Sequence, residues 1–283
     1  MKLRESQTKV AVRITYGVLY AIAGIAIILL SPYGFGVLLF AVATGGTMEF
    51  YRIAKIREYK PHSALGVVIN LLLLGLNYSY IFFNGAYFGL LASLLLLTIP
   101  ATFVSELFAG SKNPIANIGS TLLPVLYIGL PLSLICHVAM YIGGGEWSGA
   151  LMVAYLVITW ANDSFAYLVG ISIGRHVMFP RISPKKSWEG LVGGILGAFL
   201  FGLGIAWLSG SSYLVWGGVA ILAAMAGVLG DLVESMFKRS VDIKDSGDLI
   251  PGHGGWLDRF DAFLISTPVV FVYLYILNHF GLI

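Results

Sequence analysis

The segment from Ser235 to Asp261, SMFKRSVDIKDSGDLIPGHGGWLDRFD, carries both charge signs within an otherwise apolar sequence. Its basic residues are Lys238, Arg239, Lys244 and Arg259, and its carboxylates are Asp242, Asp245, Asp248, Asp258 and Asp261. Glycines surround its histidine, His253, and let backbone N–H groups approach an anion. Such a loop is suited to bind a phosphorylated ligand together with a metal ion.

The carboxylates around this loop follow helical spacing. Asp231, Glu234 and Ser235 share one helix face, and Asp258 and Asp261 share another. Like charges at these spacings repel, and a divalent cation between them would reverse the sign of the interaction. Oxygen ligands without cysteine favour a hard ion, and carboxylates with substrate phosphates are typical of Mg²⁺. No second histidine has ligand spacing to His253, so zinc is disfavoured.

A second polar cluster contains Asn162 and Asp163, with Tyr167 four residues after Asp163 on the same helix face. A functional role and a buried Asn–Asp pair that links helices both fit this cluster.

A third cluster, Ser183-Pro184-Lys185-Lys186-Ser187, leads into an apolar run. Ser187 is a candidate N-cap, and two lysines before a helix make an anion site plausible. The alternative is a positively charged membrane anchor, with Trp188 at the interface.

The composition predicts the elements that position these clusters. Hydrophobic residues make up 58% and charged residues 11%, with a mean hydropathy of +0.88, whereas soluble domains carry about 25% charged residues. The single cysteine, Cys136, excludes an internal disulfide and a metal–thiolate set. We therefore expect an all-α integral membrane protein, 1–283 forming one polytopic domain with a catalytic loop at 235–261. The predicted spans are 12–30, 34–51, 63–83, 86–108, 118–141, 149–171, 189–208, 212–236 and 262–281.

The distribution of positive charge predicts the orientation. All 17 lysines and arginines fall in the N-terminal flank or in the second, fourth, sixth and eighth loops. The positive-inside rule then gives a cytoplasmic N-terminus, nine spans and an external C-terminus. We interpret the first apolar segment as an uncleaved helix, because no A-x-A-like cleavage site follows it.

Most carboxylates fall on the same predicted side of the membrane as the basic residues. We interpret Glu49 and Glu106 as charges at helix ends in the headgroup region. Asp163 and Asp231 lie deeper, and ionisable groups at such depth mark functional sites by default.

The seventh predicted helix carries small residues at intervals of four, which allow close approach by a helix of the same chain or of a second protomer. These are Gly190, Gly194, Ala198 and Gly202.

The motif S-x-F-K-R-x4-K-D-x-G-x2-I-P-x-H-G-G-x2-D-R-F-D, from Ser235 to Asp261, resembles the signature of the phosphatidate cytidylyltransferase (CDP-diacylglycerol synthase) family. Upstream, N-D-x2-A-Y at 162–167 and S-P-K-K-S-W-E-G at 183–190 are similar to the family's other polar motifs, in the same order. Trp256 departs from the aliphatic residue that is usual in the family.

The resemblance implies transfer of a cytidylyl group from CTP to phosphatidic acid, with Mg²⁺ as cofactor. It also implies a homodimer. The compact length and the lack of a targeting extension favour the bacterial inner (plasma) membrane, and the charge distribution predicts an active site that faces the cytoplasm. We expect no nucleic-acid partner. The diacyl tails would remain in lipid between helices.

Residue roles follow as hypotheses from the resemblance. Asp231 and Asp258 would hold the metal, with Asp261 and Asp163 beside it. The expected phosphate contacts are Lys185, Lys186, Lys238, Arg239, Lys244 and Arg259. The residues expected to bind or orient the nucleotide are Asn162, Ser183, Ser187, His253, Gly254 and Gly255.

Other functions also fit the sequence. A CTP-dependent polyprenol or phytol kinase would also need a basic face, a metal and a lipid, but it would release CDP. A CDP-alcohol phosphotransferase is disfavoured because its D-G-x2-A-R…D-x3-D pattern is absent. An ion-coupled transporter could use Asp163 and Asp231 as ion sites, although no matched pair of broken helices stands out.

Overall fold

The computed structural model describes residues 21–247 and 254–283, and helices make up most of both ranges. Long apolar segments form helices because in a bilayer only intrachain hydrogen bonds can satisfy their backbone groups. The helices are α1 (Ala21–Leu30), α2 (Pro32–Ile56), α3 (Ser63–Phe82), α4 (Phe88–Ala109), α5 (Pro114–Pro124), α6 (Leu130–Ile142), α7 (Gly149–Ile173), α8 (Trp188–Ser209), α9 (Tyr213–Ser240) and α10 (Leu257–His279).

Eight helical stretches among the described residues are long and apolar enough to cross a membrane, with Pro114–Ile142 counted as one. They match the second to ninth predicted spans to within a few residues, which confirms the all-α, multi-pass fold. The first predicted span, 12–30, lies partly outside the described residues, and its described part is the apolar helix α1. The orientation of the termini stays a prediction.

A π-helical turn, Val125–Gly129, joins α5 to α6 directly after Pro124. The Asn70 side chain of α3 donates to the Pro124 carbonyl at 3.4 Å and to Thr47 Oγ1 at 2.6 Å. A neighbouring side chain thus satisfies a carbonyl at the irregular turn, as helix breaks within a membrane require.

Between α7 and α8 the chain forms an antiparallel hairpin of β1 (Val177–Phe179) and β2 (Ser183–Ser187), a strand pair that the sequence analysis did not predict. Ser187 ends β2 and caps α8 by accepting a hydrogen bond from the Gly190 N–H at 3.1 Å, which confirms the predicted N-cap. The hairpin therefore sets where Lys185 and Lys186 lie relative to the start of α8.

The small-residue stripe of α8 packs within the chain. A Cβ atom at Gly194 would lie 2.6 Å from Asn162 Oδ1 of α7, and one at Gly202 would lie 2.6 Å from the Trp216 carbonyl of α9. Ala198 is fully buried. The predicted close approach is confirmed, and the partners are α7 and α9 of the same chain.

Candidate active site

Three carboxylates meet where the C-terminal half of α9 lies against the first turn of α10. One oxygen each from Asp231, Glu234 and Asp261 lies within 4.8 Å of the others, and we call these residues the acidic cluster. The two helices approach closely because position 230 is glycine: a Cβ atom there would lie 2.3 Å from the Asp261 carbonyl. The arrangement brings three carboxyl groups together at one point.

The acidic cluster has the properties of a cation site. Glu234 is 1% exposed, and its Oε1 atom is buried without a hydrogen-bond partner. An unsatisfied buried carboxylate oxygen is costly, and a hard divalent cation bound by oxygen ligands would satisfy it. The residues present therefore fit the predicted Mg²⁺.

The observed cluster and the predicted metal ligands overlap without being identical. Asp231 and Asp261 were both predicted, whereas Asp163 and Asp258 lie outside the cluster. Glu234 completes it and was not assigned to the metal from sequence, although its three-residue spacing from Asp231 was the available signal.

Asp258 lies at the centre of a hydrogen-bond network at the start of α10. Its Oδ1 atom is 2.5 Å from Lys238 Nζ. Its Oδ2 atom accepts from the Ser246 N–H at 3.0 Å and the Gly255 N–H at 2.7 Å. Lys238 also forms an ion pair with Glu234, so this lysine links Asp258 to the acidic cluster. A cation that used Asp258 as a ligand would have to displace Lys238 Nζ.

Two of the predicted motifs and α9 enclose one polar cavity of about 300 Å³. Lys186 forms an ion pair with Asp231 there, so the hairpin is connected to the acidic cluster. The polar residues that line this cavity are Asp163, Tyr167, Ser183, Lys185, Lys186, Ser187 and Asp231, and the rest of its wall is apolar. Asn162 lies directly beside it and donates to Asp163 Oδ1 at 3.3 Å.

A second cavity of about 300 Å³ is mainly apolar and lies among α1, α2, α6, α7 and α10. Ile28, Leu39 and Met152 are among the side chains on its apolar walls. Its polar boundary is formed by Asp163, Asp258, Arg259 and Asp261. Asp163 thus lines both cavities, and the acidic cluster contributes Asp231 to one and Asp261 to the other.

The remaining predicted phosphate and nucleotide residues are more dispersed. Arg239 donates to the Ile243 carbonyl at 2.9 Å, and Lys244 lines a separate open cavity beside Arg52. Gly254 has a φ of +80°, which favours glycine, and the Gly255 N–H is directed to Asp258. His253 lies outside the described residues.

Glu49 and Glu106, which we interpreted from the sequence as charges at helix ends in the headgroup region, are buried, at 4% and 3% exposure. Glu106 bonds His62 at 2.7 Å and Asn117 at 2.9 Å, away from the acidic cluster. Glu49 accepts hydrogen bonds from Ser246 and from the start of α10. Sequence reasoning missed these roles because the partners are distant along the chain.

Comparisons with a family model and with known proteins agree with each other. Residues 11–277 match the model of the cytidylyltransferase family. The chain is 33% identical over 275 residues to the phosphatidate cytidylyltransferase of Bacillus subtilis (strain 168), covering 93% of this chain and 96% of that protein. The enzyme of the same name from Haemophilus influenzae is 33% identical over 284 residues, covering 91% and 95%. The one from Staphylococcus aureus (strain COL) is 41% identical over 126 residues, covering 44% and 48%.

Proposed function

This chain belongs to the cytidylyltransferase family, and from that membership we propose that it transfers a cytidylyl group from CTP to phosphatidic acid. The products are CDP-diacylglycerol and pyrophosphate. The observation that carries the proposal is the pair of cavities bordered by Asp163, one polar with two lysines and one apolar. The first suits nucleotide phosphates and the second suits an acyl chain.

The reaction exchanges one phosphoanhydride bond for another. A phosphate oxygen of phosphatidic acid attacks the α-phosphorus of CTP, and the bond from that phosphorus to the oxygen bridging the β-phosphorus breaks. The lipid phosphate is already anionic and needs no strong general base. The main barrier is the approach of two polyanions, which fixed cations reduce.

The chain's own residues divide this work. Lys185 and Lys186 line the polar cavity and would contact the nucleotide phosphates, with Lys186 leaving its partner Asp231 to do so. Arg259, at the polar boundary of the apolar cavity, is placed to contact the lipid phosphate. Ser183 and Ser187 are hydroxyl donors along the same cavity wall as the lysines.

A Mg²⁺ ion would be held by Asp231, Glu234 and Asp261, the set that the buried, unpartnered oxygen of Glu234 supports. When bound, such an ion neutralises charge on the phosphates and on the departing pyrophosphate. Asp258 remains a predicted ligand, available once Lys238 shifts towards a phosphate. Asp163 lines both cavities and accepts a hydrogen bond from Asn162.

The placement of the protein in the cell belongs to the same proposal. The protein would lie in the bacterial inner membrane with its site facing the cytoplasm, where CTP is available. The basic loops on one predicted side support that orientation. A homodimer stays a prediction, and its interface would use a surface other than the α8 stripe, which α7 and α9 already cover.

The decisive experiment supplies purified protein with phosphatidic acid, Mg²⁺ and CTP labelled at the α-phosphate. We expect the label to appear in the lipid product. Label that stays in CDP would identify a lipid kinase. No transfer of any label, together with ion-dependent flux in vesicles, would favour a transporter.

A further inference from the structure

Glu189, the second residue of α8, is bonded to the stretch that leads from α7 into the hairpin. Its Oε2 atom accepts the Arg175 N–H at 3.1 Å and the His176 N–H at 3.2 Å. Its Oε1 atom lies 2.6 Å from His176 Nδ1. The unpaired N–H groups in the first turn of a helix also favour a carboxylate there. One side chain thus joins the chain before β1 to the helix after β2.

These contacts close the base of the hairpin. The Trp188 N–H donates to the His176 carbonyl at 2.9 Å, and the first paired residues of the two strands lie beside this bond. The strand pairing contains an irregularity, and β2 includes Pro184, which has no N–H to donate. A two-stranded hairpin is marginally stable by itself. The hairpin therefore depends on anchors outside its own strands.

Lys186 also connects the hairpin to the helices, through its ion pair with Asp231 of α9. Under the proposed function this ion pair opens when Lys186 contacts a phosphate. The contacts of Glu189 involve neither of the hairpin lysines, so they can persist while the nucleotide binds. Glu189 would then keep the hairpin in place at the step in which the ion pair is lost.

We propose that Glu189 is a positioning residue that anchors the base of the hairpin and thereby places Lys185 and Lys186 at the polar cavity. Glu189 is not among the residues that line this cavity, so it acts through the hairpin. The inference rests on the proposed function, because it assigns the two lysines to the phosphates of CTP. It gives a role to the glutamate of the S-P-K-K-S-W-E-G motif, which the sequence analysis left without one.

Removal of the carboxylate should cause a selective kinetic change. In Glu189→Ala the N–H groups of Arg175 and His176 lose their acceptor, and arrangements in which the lysines are displaced gain population. CTP then binds more weakly, in proportion to the fraction of molecules whose hairpin remains correctly placed, and saturating CTP restores that arrangement. The hairpin does not line the apolar cavity, so KM for phosphatidic acid should not change.

The test compares Glu189→Ala and Glu189→Gln with the wild type in lipid nanodiscs. In the alanine variant we expect KM for CTP to rise about tenfold, with kcat within about threefold of the wild type and KM for phosphatidic acid unchanged. Hydrogen exchange at the Arg175 and His176 amides should become faster. Glutamine keeps a side-chain oxygen that can accept from both amides, so this variant should stay close to the wild type in KM and in exchange.

Glu146→Ala is the matched control, because it removes a glutamate that is exposed in the turn after α6, outside the hairpin. It should change neither KM nor exchange at the two amides. If Glu189→Ala fails to fold, Glu189→Asp replaces it, since its side chain is one methylene shorter. That variant must then show the same direction of change in KM for CTP and in exchange.

Three outcomes would overturn the proposal. A lower kcat at unchanged KM for CTP indicates a loss of folded enzyme and a purely structural role. Unchanged exchange in the alanine variant shows that Glu189 does not hold the two amides. A glutamine variant as impaired as the alanine variant shows that the charge acts and not the hydrogen bonds. A wild type inactive with CTP and phosphatidic acid would refute the proposed function, while the exchange measurement would still decide whether Glu189 anchors the hairpin.

Discussion

Glu234 has the most unusual surroundings of any carboxylate in the described chain. One of its oxygens pairs with Lys238, and the other, Oε1, is buried without a hydrogen-bond partner. The residue also belongs to the acidic cluster with Asp231 and Asp261. A bound cation would supply the partner that Oε1 lacks, and burial of the oxygen without one costs free energy.

Replacing Glu234 by glutamine keeps the volume and removes one negative charge from the acidic cluster. We expect the Mg²⁺ concentration for half-maximal activity to rise by at least about tenfold, since a cation ligand is weakened. Glu146→Gln, in the turn after α6, is the control. An unchanged Mg²⁺ requirement would remove Glu234 from the ion site.

Asp258→Asn tests the other carboxylate at the start of α10. Asparagine cannot replace both charged contacts to Lys238 and the backbone, so turnover should fall at least about 100-fold. The lost charge-assisted hydrogen bonds should lower stability by about 1–3 kcal/mol, measured by thermal unfolding. Asp242→Asn is the matched control, because Asp242 is exposed with a φ of +58° that asparagine tolerates. Near-normal turnover in Asp258→Asn would show that this carboxylate is dispensable.

The sequence identified the charged residues of the site more readily than the residues that they contact. The three-residue spacing of Asp231 and Glu234 is enough to predict that they share one helix face. The contact from Ser246 to Glu49 spans 197 positions, and no local periodicity reports such a pairing. Partners from separate helices depend on how the bundle packs, which single-sequence patterns leave undetermined.

Helix α8 begins directly after the hairpin that carries Lys185 and Lys186, and it packs against α7, which carries Asn162. This contact depends on Gly194. A Cβ atom at that position would lie 2.6 Å from Asn162 Oδ1 and 2.9 Å from its backbone oxygen. The glycine therefore sets the distance between two of the polar motifs.

Gly194→Ala should force α7 and α8 apart and lower stability by about 1–3 kcal/mol, as overpacking does. Turnover should fall as the polar cavity changes shape. Gly204→Ala on the same helix is the control, because nothing lies within 4 Å of its Cβ position. It should be neutral or slightly stabilising. Equal melting temperatures for the two variants would contradict the packing argument.

The helices were predictable because long apolar runs have few alternatives in a membrane. The hairpin was not, since Ser183–Ser187 contains a proline and two lysines and has no strand-like alternation. Its pairing with Val177–Phe179 is set by the short connection to α7 and by the cap at Ser187. Strands this short are defined by their partner more than by their own composition.

The predicted orientation of the bundle rests on the charge distribution alone and can be tested on intact cells. Cys136 is fully buried, so single added cysteines should report without background labelling. Ile283→Cys should react with a membrane-impermeant maleimide from outside. Lys112→Cys, exposed in the fourth loop, should react only after permeabilisation. The reverse pattern would invert the predicted topology.

The two cavities that meet at Asp163 imply separate routes for the reactants. Under the proposed function, the nucleotide would enter from the aqueous face, and the lipid would enter laterally from its leaflet without leaving the bilayer. Neither reactant then blocks the path of the other, so the ternary complex can assemble in either order. A nucleotide-like inhibitor should accordingly compete with CTP and leave the apparent affinity for phosphatidic acid unchanged.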